Sequence, residues 1–328
     1  MFIIDSKGCD AVPRKWLPID GPCVNASGAV VKMEDARALE YKIRAAIAGS
    51  YDDSRLEEFL TVATALSQEQ PFAALRAFCA GGGRGYFLLR GLPVGVCKSP
   101  KDDSVSESVL LAASTILGYA FGYEERVRLN VLVNVRPTRL HAGQQLGGGS
   151  VDLTWHVEDA HTLNAPDHFI LFCLRGDESV VTFLHALVIE TLAPKIRALL
   201  TESAYDVYPD ENFLHRAPKR TSILSLRPDG KWALQYDPAF TKCATEEHAA
   251  ALAALTAHFA SNAEGIVLRS GDLLVVDNRL TVHARSAFQP TFDDADRWLQ
   301  KVYVRRTPID ASSRSRRHPY LIAYESYL

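Results

Sequence analysis

The chain has 328 residues, of which 47% are hydrophobic and 23% charged, with a formal net charge of −3. That composition excludes a disordered, collagen-like or coiled-coil chain and supplies ample apolar material for a large core. A pI near 6.4 offers no basic field to a phosphate backbone, and no apolar run reaches the roughly 20 residues that a bilayer crossing needs. With Asp5 and Lys7 where a signal peptide keeps its apolar stretch, a cytoplasmic protein is expected, with neither nucleic acid nor membrane as partner. The cysteines Cys9, Cys23, Cys79, Cys97, Cys173 and Cys243 form no CxxC pair, which argues against a zinc ribbon, a redox pair or a disulfide scaffold. Cys173, inside FILFCL, reads as a small buried hydrophobe.

Residues 33–80 carry helical periodicity in three stretches, the last opening on Pro71 at a first-turn position. Glycines 81–85 lead into a strand-like YFLLRGLPV, and a further helix is expected over 106–122. From about residue 127 the pattern changes to short β runs, among them SVDLTWHVE, HFILFCLR, SVVTFLHA, DLLVVDN and WLQKVYVRR, separated by polar or Gly/Pro turns. Helices are expected to interrupt this series over 187–203 and 245–262. Thr245 suits the N-cap of the second, but His248 stands where a capping box wants Glu or Gln. Many short strands with few helical crossovers favour a mainly β chain with α additions, built on a double-sheet jelly roll with N-terminal and inserted helices. No repeat or linker divides the chain. The expectation is one domain over residues 1–328: a largely helical part over 1–125, the core with its helical insert over 126–306, and a tail over 307–328.

Gly81-Gly82-Gly83-Arg84-Gly85 fits neither the dinucleotide nor the P-loop spacing and precedes a strand instead of following one. Ser150 lacks the closing glycine of a nucleophile elbow. The informative segment is Trp155-His156-Val157-Glu158-Asp159. On a strand, residues two apart share a face, so His156 and Glu158 can aim an imidazole and a carboxylate at one point. Taken alone, H-x-E is also a common incidental surface pattern, and it needs a third ligand. His283, in DLLVVDNRLTVHAR, is the best candidate. It can meet the pair only if the strands close into a barrel. Two histidines and one carboxylate, with open positions left over, form the facial triad of non-haem Fe(II) oxygenases. Arg297 follows in DRWLQ. From the next antiparallel strand its planar fork could grip a carboxylate inside the barrel, the distal end of 2-oxoglutarate being the one that suits an iron oxygenase. A structural salt bridge to Asp293, Asp294 or Asp296 is the alternative.

With WHVEDAH (155–161), PDHFILFCLR (166–175), GDLLVVDNRLTVHAR (271–285) and DRWLQKVYVR (296–305), the sequence resembles the clavaminate synthase-like group of Fe(II)/2-oxoglutarate-dependent oxygenases. That group includes bacterial hydroxylases of free L-arginine, asparagine and lysine. The likeness covers roughly residues 85–306. It implies His156, Glu158 and His283 as iron ligands, Arg297 on the distal carboxylate of 2-oxoglutarate, and Thr182 as a hydroxyl against that cosubstrate. It also places Asp237 on the cationic end of the substrate and Asp210 with Asn212 in a loop that closes over bound amino acid. Asp237 before Pro238 is equally good turn chemistry, and DEN is also an ordinary solvated loop. One departure stands out. Many relatives carry a second arginine, four residues beyond the first, on the substrate's α-carboxylate, and here that position is Lys301. Lysine keeps the charge and loses the bidentate fork. His161 also stands where relatives often show an aromatic, and reads as a neighbour of the site or a surface residue in preference to a fourth ligand.

The expected activity is hydroxylation of an unactivated C–H of an L-amino acid, basic or derived from one, with Fe(II) as cofactor, 2-oxoglutarate and O₂ as cosubstrates, and succinate and CO₂ released. Desaturation or oxidative cyclisation of a modified amino acid in natural-product assembly is the enzymic alternative. A metal-binding barrel without turnover is the non-enzymic one.

Overall fold

The computed structural model describes residues 27–82, 85–96, 104–124, 131–162, 164–213, 217–227 and 230–323. Cys9, Cys23 and Cys97 lie outside the described residues, and Cys79, Cys173 and Cys243 are free thiols. The chain opens with β1 (Ser27–Val30), α1 (Met33–Ala46), α2 (Leu56–Leu66), α3 (Ala73–Ala80), β2 (Tyr86–Arg90), α4 (Val105–Leu117), β3 (Tyr119–Tyr123) and β4 (Leu132–Val135). Leu56, Phe59, Ala63 and Leu66 fall on one stripe of α2 and are buried, as helical spacing requires. α4 is enclosed on every side, with every residue from Val105 to Ser114 buried, Glu107 among them. It is a middle layer, with α2 on one side and β6 and β16 (below) on the other. The helix expected over 106–122 overshoots. α4 stops at Leu117 because Gly118 takes φ 151° and has the Arg305 carbonyl where a Cβ would stand. The following YAFGY is a strand on β16.

The remainder comprises β5 (Leu153–His156), β6 (His168–Arg175), β7 (Val181–Ala186), α5 (Pro194–Leu200), β8 (Tyr205–Val207), β9 (Lys219–Thr221), β10 (Leu224–Leu226), β11 (Trp232–Leu234), β12 (Thr241–Cys243), α6 (Glu246–Ser261), β13 (Glu264–Val267), β14 (Leu273–Asp277), β15 (Thr281–Arg285), β16 (Trp298–Arg305) and β17 (Leu321–Ile322). The helix expected over 187–203 is shorter. Pro194 starts α5, with one turn of 3₁₀ helix at Ile189–Thr191 before it. Thr245 does cap α6, accepting from the His248 backbone N–H at 3.4 Å and meeting its Nδ1 at 2.7 Å.

Two sheets form the frame. The larger runs β1-β2-β14-β6-β16-β3-β17 with β4 also on β16, and the smaller runs β13-β7-β15-β5. Side chains alternate as the pleat demands. Ile170, Phe172, Val275, Val302 and Val304 face the N-terminal helices, whereas Phe169, Leu171, Leu274, Leu299 and Tyr303 share a second core with Leu184 and Ile266 of the smaller sheet. Gln300 reaches Glu107 of α4 at 2.6 Å, on the helix side. The outer face of the smaller sheet, with Phe183, Val282 and Ala284, packs under Leu252, Leu255 and Phe259 of α6. Covered on both faces, β6 and β14 need no polar alternation, which is why they read as continuous apolar runs. Among the described residues no helix is long and apolar enough to cross a membrane.

Candidate metal centre and adjoining cavity

The two histidines meet because β15 pairs antiparallel with β5, setting His283 directly opposite His156. Their rings lie 4.1 Å apart, and Phe169 backs His283 at 4.6 Å. Glu158 arrives differently from the expectation. β5 ends at His156, so Glu158 is not on the strand but in the turn that follows, just before Asp159 at φ 53°. What aims it is Asn278. The Asn278 side chain accepts from the Glu158 N–H at 2.8 Å and donates to the carbonyls of Glu158 and Pro166 at 3.0 Å each. One donor atom from each of His156, Glu158 and His283 then falls within 4.8 Å of the others.

Protonation states favour donation. His156 Nδ1 lies 2.7 Å from the Thr154 carbonyl, which fixes the proton there and leaves Nε2 as the lone-pair donor. Burial first, then the neighbouring His283, lowers the His156 pKa to about 3, so the ring is neutral. Burial pushes the Glu158 carboxyl up, but Lys301 and the two imidazoles outweigh it and hold the group well below the ordinary range. Glu158 is therefore an anion. Its Oε1 lies 3.4 Å from His283 Nε2, and its Oε2 receives Lys301 Nζ at 2.9 Å and the Tyr303 hydroxyl. Two imidazoles and one carboxylate oxygen on a common point, in a buried setting, fit a divalent iron with positions to spare. His161 is not among the three. Its ring sits edge-on to Phe213 at 4.3 Å.

A cavity of about 90 Å³ opens beside this cluster, and His156, Glu158, Asp210, Asn212, Asp237 and Lys301 all contribute to its wall. Asp237 precedes the 3₁₀ turn Pro238–Phe240, and Asp210 is tied to Asn212 through both its carboxylate oxygens, at 2.8 and 3.1 Å. Burial, then the charge of Asp210, raises the Asp237 pKa to about 8. Lys301 reaches the cavity with its ammonium already engaged by Glu158. Glu211 is joined to Gln144, clasping the 208–213 loop to the loop that carries Gln145 and Leu146.

Thr182 and Arg297 are buried and do not line this cavity. Thr182 is opposite Arg285 on β15, two residues along the strand from Leu184, the partner of His283, and so on the same inward face. Arg297 is buried, with 7% of its surface exposed, and burial pushes its guanidinium pKa down. The alternative salt bridges do not form among the described residues. Asp294 pairs with Arg136, and the Asp296 carboxylate accepts from the Thr291 and Asp293 backbone. Arg285, near enough to Arg297 for their charges to oppose, spends its fork on the carbonyls of Gly149 and Val151 at 2.8 and 2.5 Å.

Sequence reasoning missed Asn278, Tyr303 and Arg285. Arg285 carries a signal, two residues beyond His283. Asn278 and Tyr303 look in sequence like the polar end of one apolar run and the interior of another.

A metal-ready triad inside a two-sheet frame beside a charged cavity defines a mononuclear metal oxygenase. The chain belongs to the taurine catabolism dioxygenase TauD, TfdA family, whose model matches residues 59–303. It is 33% identical over 258 residues to an L-asparagine oxygenase of Streptomyces coelicolor, covering 71% of this chain and 76% of that protein. In structure it is similar to an asparagine oxygenase solved with Fe(II), 2S,3S-3-hydroxyasparagine and succinate. The TM-score is 0.80 at 28% identity, over 90% of this chain and 99% of that one. It is also similar to the non-haem iron oxygenase OrfP solved with Fe, succinate and (3S)-hydroxy-L-Arg, with a TM-score of 0.79 at 25% identity over 90% and 100% of the two chains.

Proposed function

We propose that this protein is an Fe(II)/2-oxoglutarate-dependent oxygenase that hydroxylates an unactivated C–H of a cationic L-amino acid, or a derivative of one. The two sheets are then the halves of a jelly roll, and residues 1–328 one oxygenase unit. The observation that carries the reading is the convergence of His156, Glu158 and His283 within 4.8 Å beside a cavity whose wall also bears Asp210 and Asp237. Those three residues would hold the iron, which with 2-oxoglutarate and O₂ supplies the oxidising chemistry and yields succinate and CO₂.

The chain's own part is placement. Arg297, a buried cation, offers its fork to the distal carboxylate of the cosubstrate, and Thr182 a hydroxyl on the inward face. Asp237, aided by Asp210 and Asn212, receives the substrate's cationic end. That partner compensates the crowding of two carboxylates, and this selects for a basic side chain. The hydrophobic backing of Phe169 and Leu184 keeps water from the reacting face. The test is anaerobic loading with Fe(II) and 2-oxoglutarate, then air, across L-lysine, L-arginine, L-ornithine and L-asparagine. Succinate with a product heavier by one oxygen on a basic member is expected. A product lighter by two hydrogens would indicate desaturation or cyclisation. Absence of succinate with every member, together with tight zinc binding, would remove the oxygenase reading.

A further inference from the structure

Lys301 and Tyr303 are two residues apart on β16 and face inward together, opposite Leu171 and Phe169 of β6. Both end on the same oxygen of Glu158. Lys301 Nζ donates to Oε2 at 2.9 Å and to the Tyr303 hydroxyl at 2.9 Å, and that hydroxyl donates to Oε2 in turn. The ammonium also lies 4.7 Å over the Tyr303 ring. The carboxylate is thus divided, with Oε2 committed to two donors and Oε1 turned toward His283. The pair is enclosed, at 13% and 10% side-chain exposure. Drawing the ammonium away would leave the buried carboxylate without its cation, a step that costs several-fold more than breaking a surface pair. A free carboxylate can present one oxygen or both to a metal, and this one is held to a single oxygen by the strand beside it.

We infer that Lys301 and Tyr303 are positioning residues of the metal site, fixing Glu158 as a one-oxygen donor, and that Lys301 does not anchor the substrate's carboxylate. The inference rests on the metal-centre reading above and changes the role expected of Lys301. A charge that the resemblance would turn toward the substrate serves the metal's carboxylate instead. Outer partners of a ligating carboxylate commonly change metal affinity about 10–100-fold when removed.

The test uses the full chain and Co(II) alone as the probe, read by equilibrium dialysis and by the visible spectrum of the bound ion. Tyr303→Phe removes one neutral donor without changing charge, and Co(II) affinity should fall about tenfold. Lys301→Met also removes a cation that opposes the incoming metal, so its signature is spectral. The Co(II) bands should shift as Glu158 turns both oxygens inward, and Lys301→Arg should restore the wild-type bands. With the amino acid that yields most succinate in the panel above, Lys301→Met should lower kcat while KM moves by no more than about twofold. Wild-type Co(II) affinity and spectrum in both Tyr303→Phe and Lys301→Met would overturn the inference. So would a rise of about tenfold in KM with an unchanged spectrum. Circular dichroism of each variant separates these results from misfolding. A wild-type chain that takes up no Co(II) would fail at the earlier step, the metal-centre reading itself.

Discussion

Two sets of groups around the cavity follow opposite electrostatic rules. In the metal set, Glu158 is held on its backbone by Asn278 and on its side chain by Lys301 and Tyr303, and His156 Nδ1–H donates to the Thr154 carbonyl. In the other set two carboxylates adjoin, and burial with the charge of Asp210 lifts the Asp237 pKa to about 8. Groups that must be oriented before a ligand arrives have their partners built into the chain. Groups whose partner is the ligand keep an electrostatic demand for it. Under the proposed function Arg297 would belong with the second kind, being a buried cation whose aspartate neighbours in sequence are engaged elsewhere.

The comparison breaks most visibly at the triad. His283→Ala should weaken Fe(II) or Co(II) uptake about a hundredfold or more while leaving the fold intact, as equilibrium dialysis and circular dichroism would show. Arg297→Met should weaken 2-oxoglutarate binding by about a hundredfold in calorimetry, with metal uptake retained. The same variant should melt no lower than wild type, because it replaces a buried cation by an apolar chain of similar length. Unchanged 2-oxoglutarate affinity would show that the clamp lies elsewhere. Asn278→Ala removes three buried hydrogen bonds. It should cost about 3 kcal/mol in urea unfolding and loosen metal binding as well.

The smallest effect is expected at Asp237. With a pKa of about 8, Asp237 holds its proton at neutral pH, and must release it to pair with a cation. KM for a basic substrate should therefore fall as pH rises from about 7 to about 9. Asp237→Asn should flatten that slope and raise KM about tenfold at the upper end. A slope that survives in Asp237→Asn would assign it to another group.

The triad was legible in sequence because both histidines sit on recognisable strands with Glu158 two residues beyond one of them, and the β5–β15 pairing joins His156 to His283 as that context requires. The placement of Glu158 in a turn was not, since only a contact 120 residues away, to Asn278, shows where the turn begins. Lys301 was visible as a departure from its relatives, but its partner lies 143 residues back. Helix ends failed for local reasons that tertiary contact decides. Apolar periodicity runs through Gly118, and the Arg305 carbonyl beside it stops the helix.

Those separations also bear on how the protein is made. The donors that orient Glu158 come from β16, within Trp298–Arg305, with Lys301 143 residues further along the chain than the carboxylate it holds. Until that strand docks between β6 and β3, the carboxylate has neither lysine nor tyrosine to set its angle. The metal centre is thus a late product of a high-contact-order fold. Iron offered to a chain in which β16 has not docked should meet an unoriented carboxylate, so loading belongs after that docking. Refolding with metal present from the start should gain little speed over refolding without it.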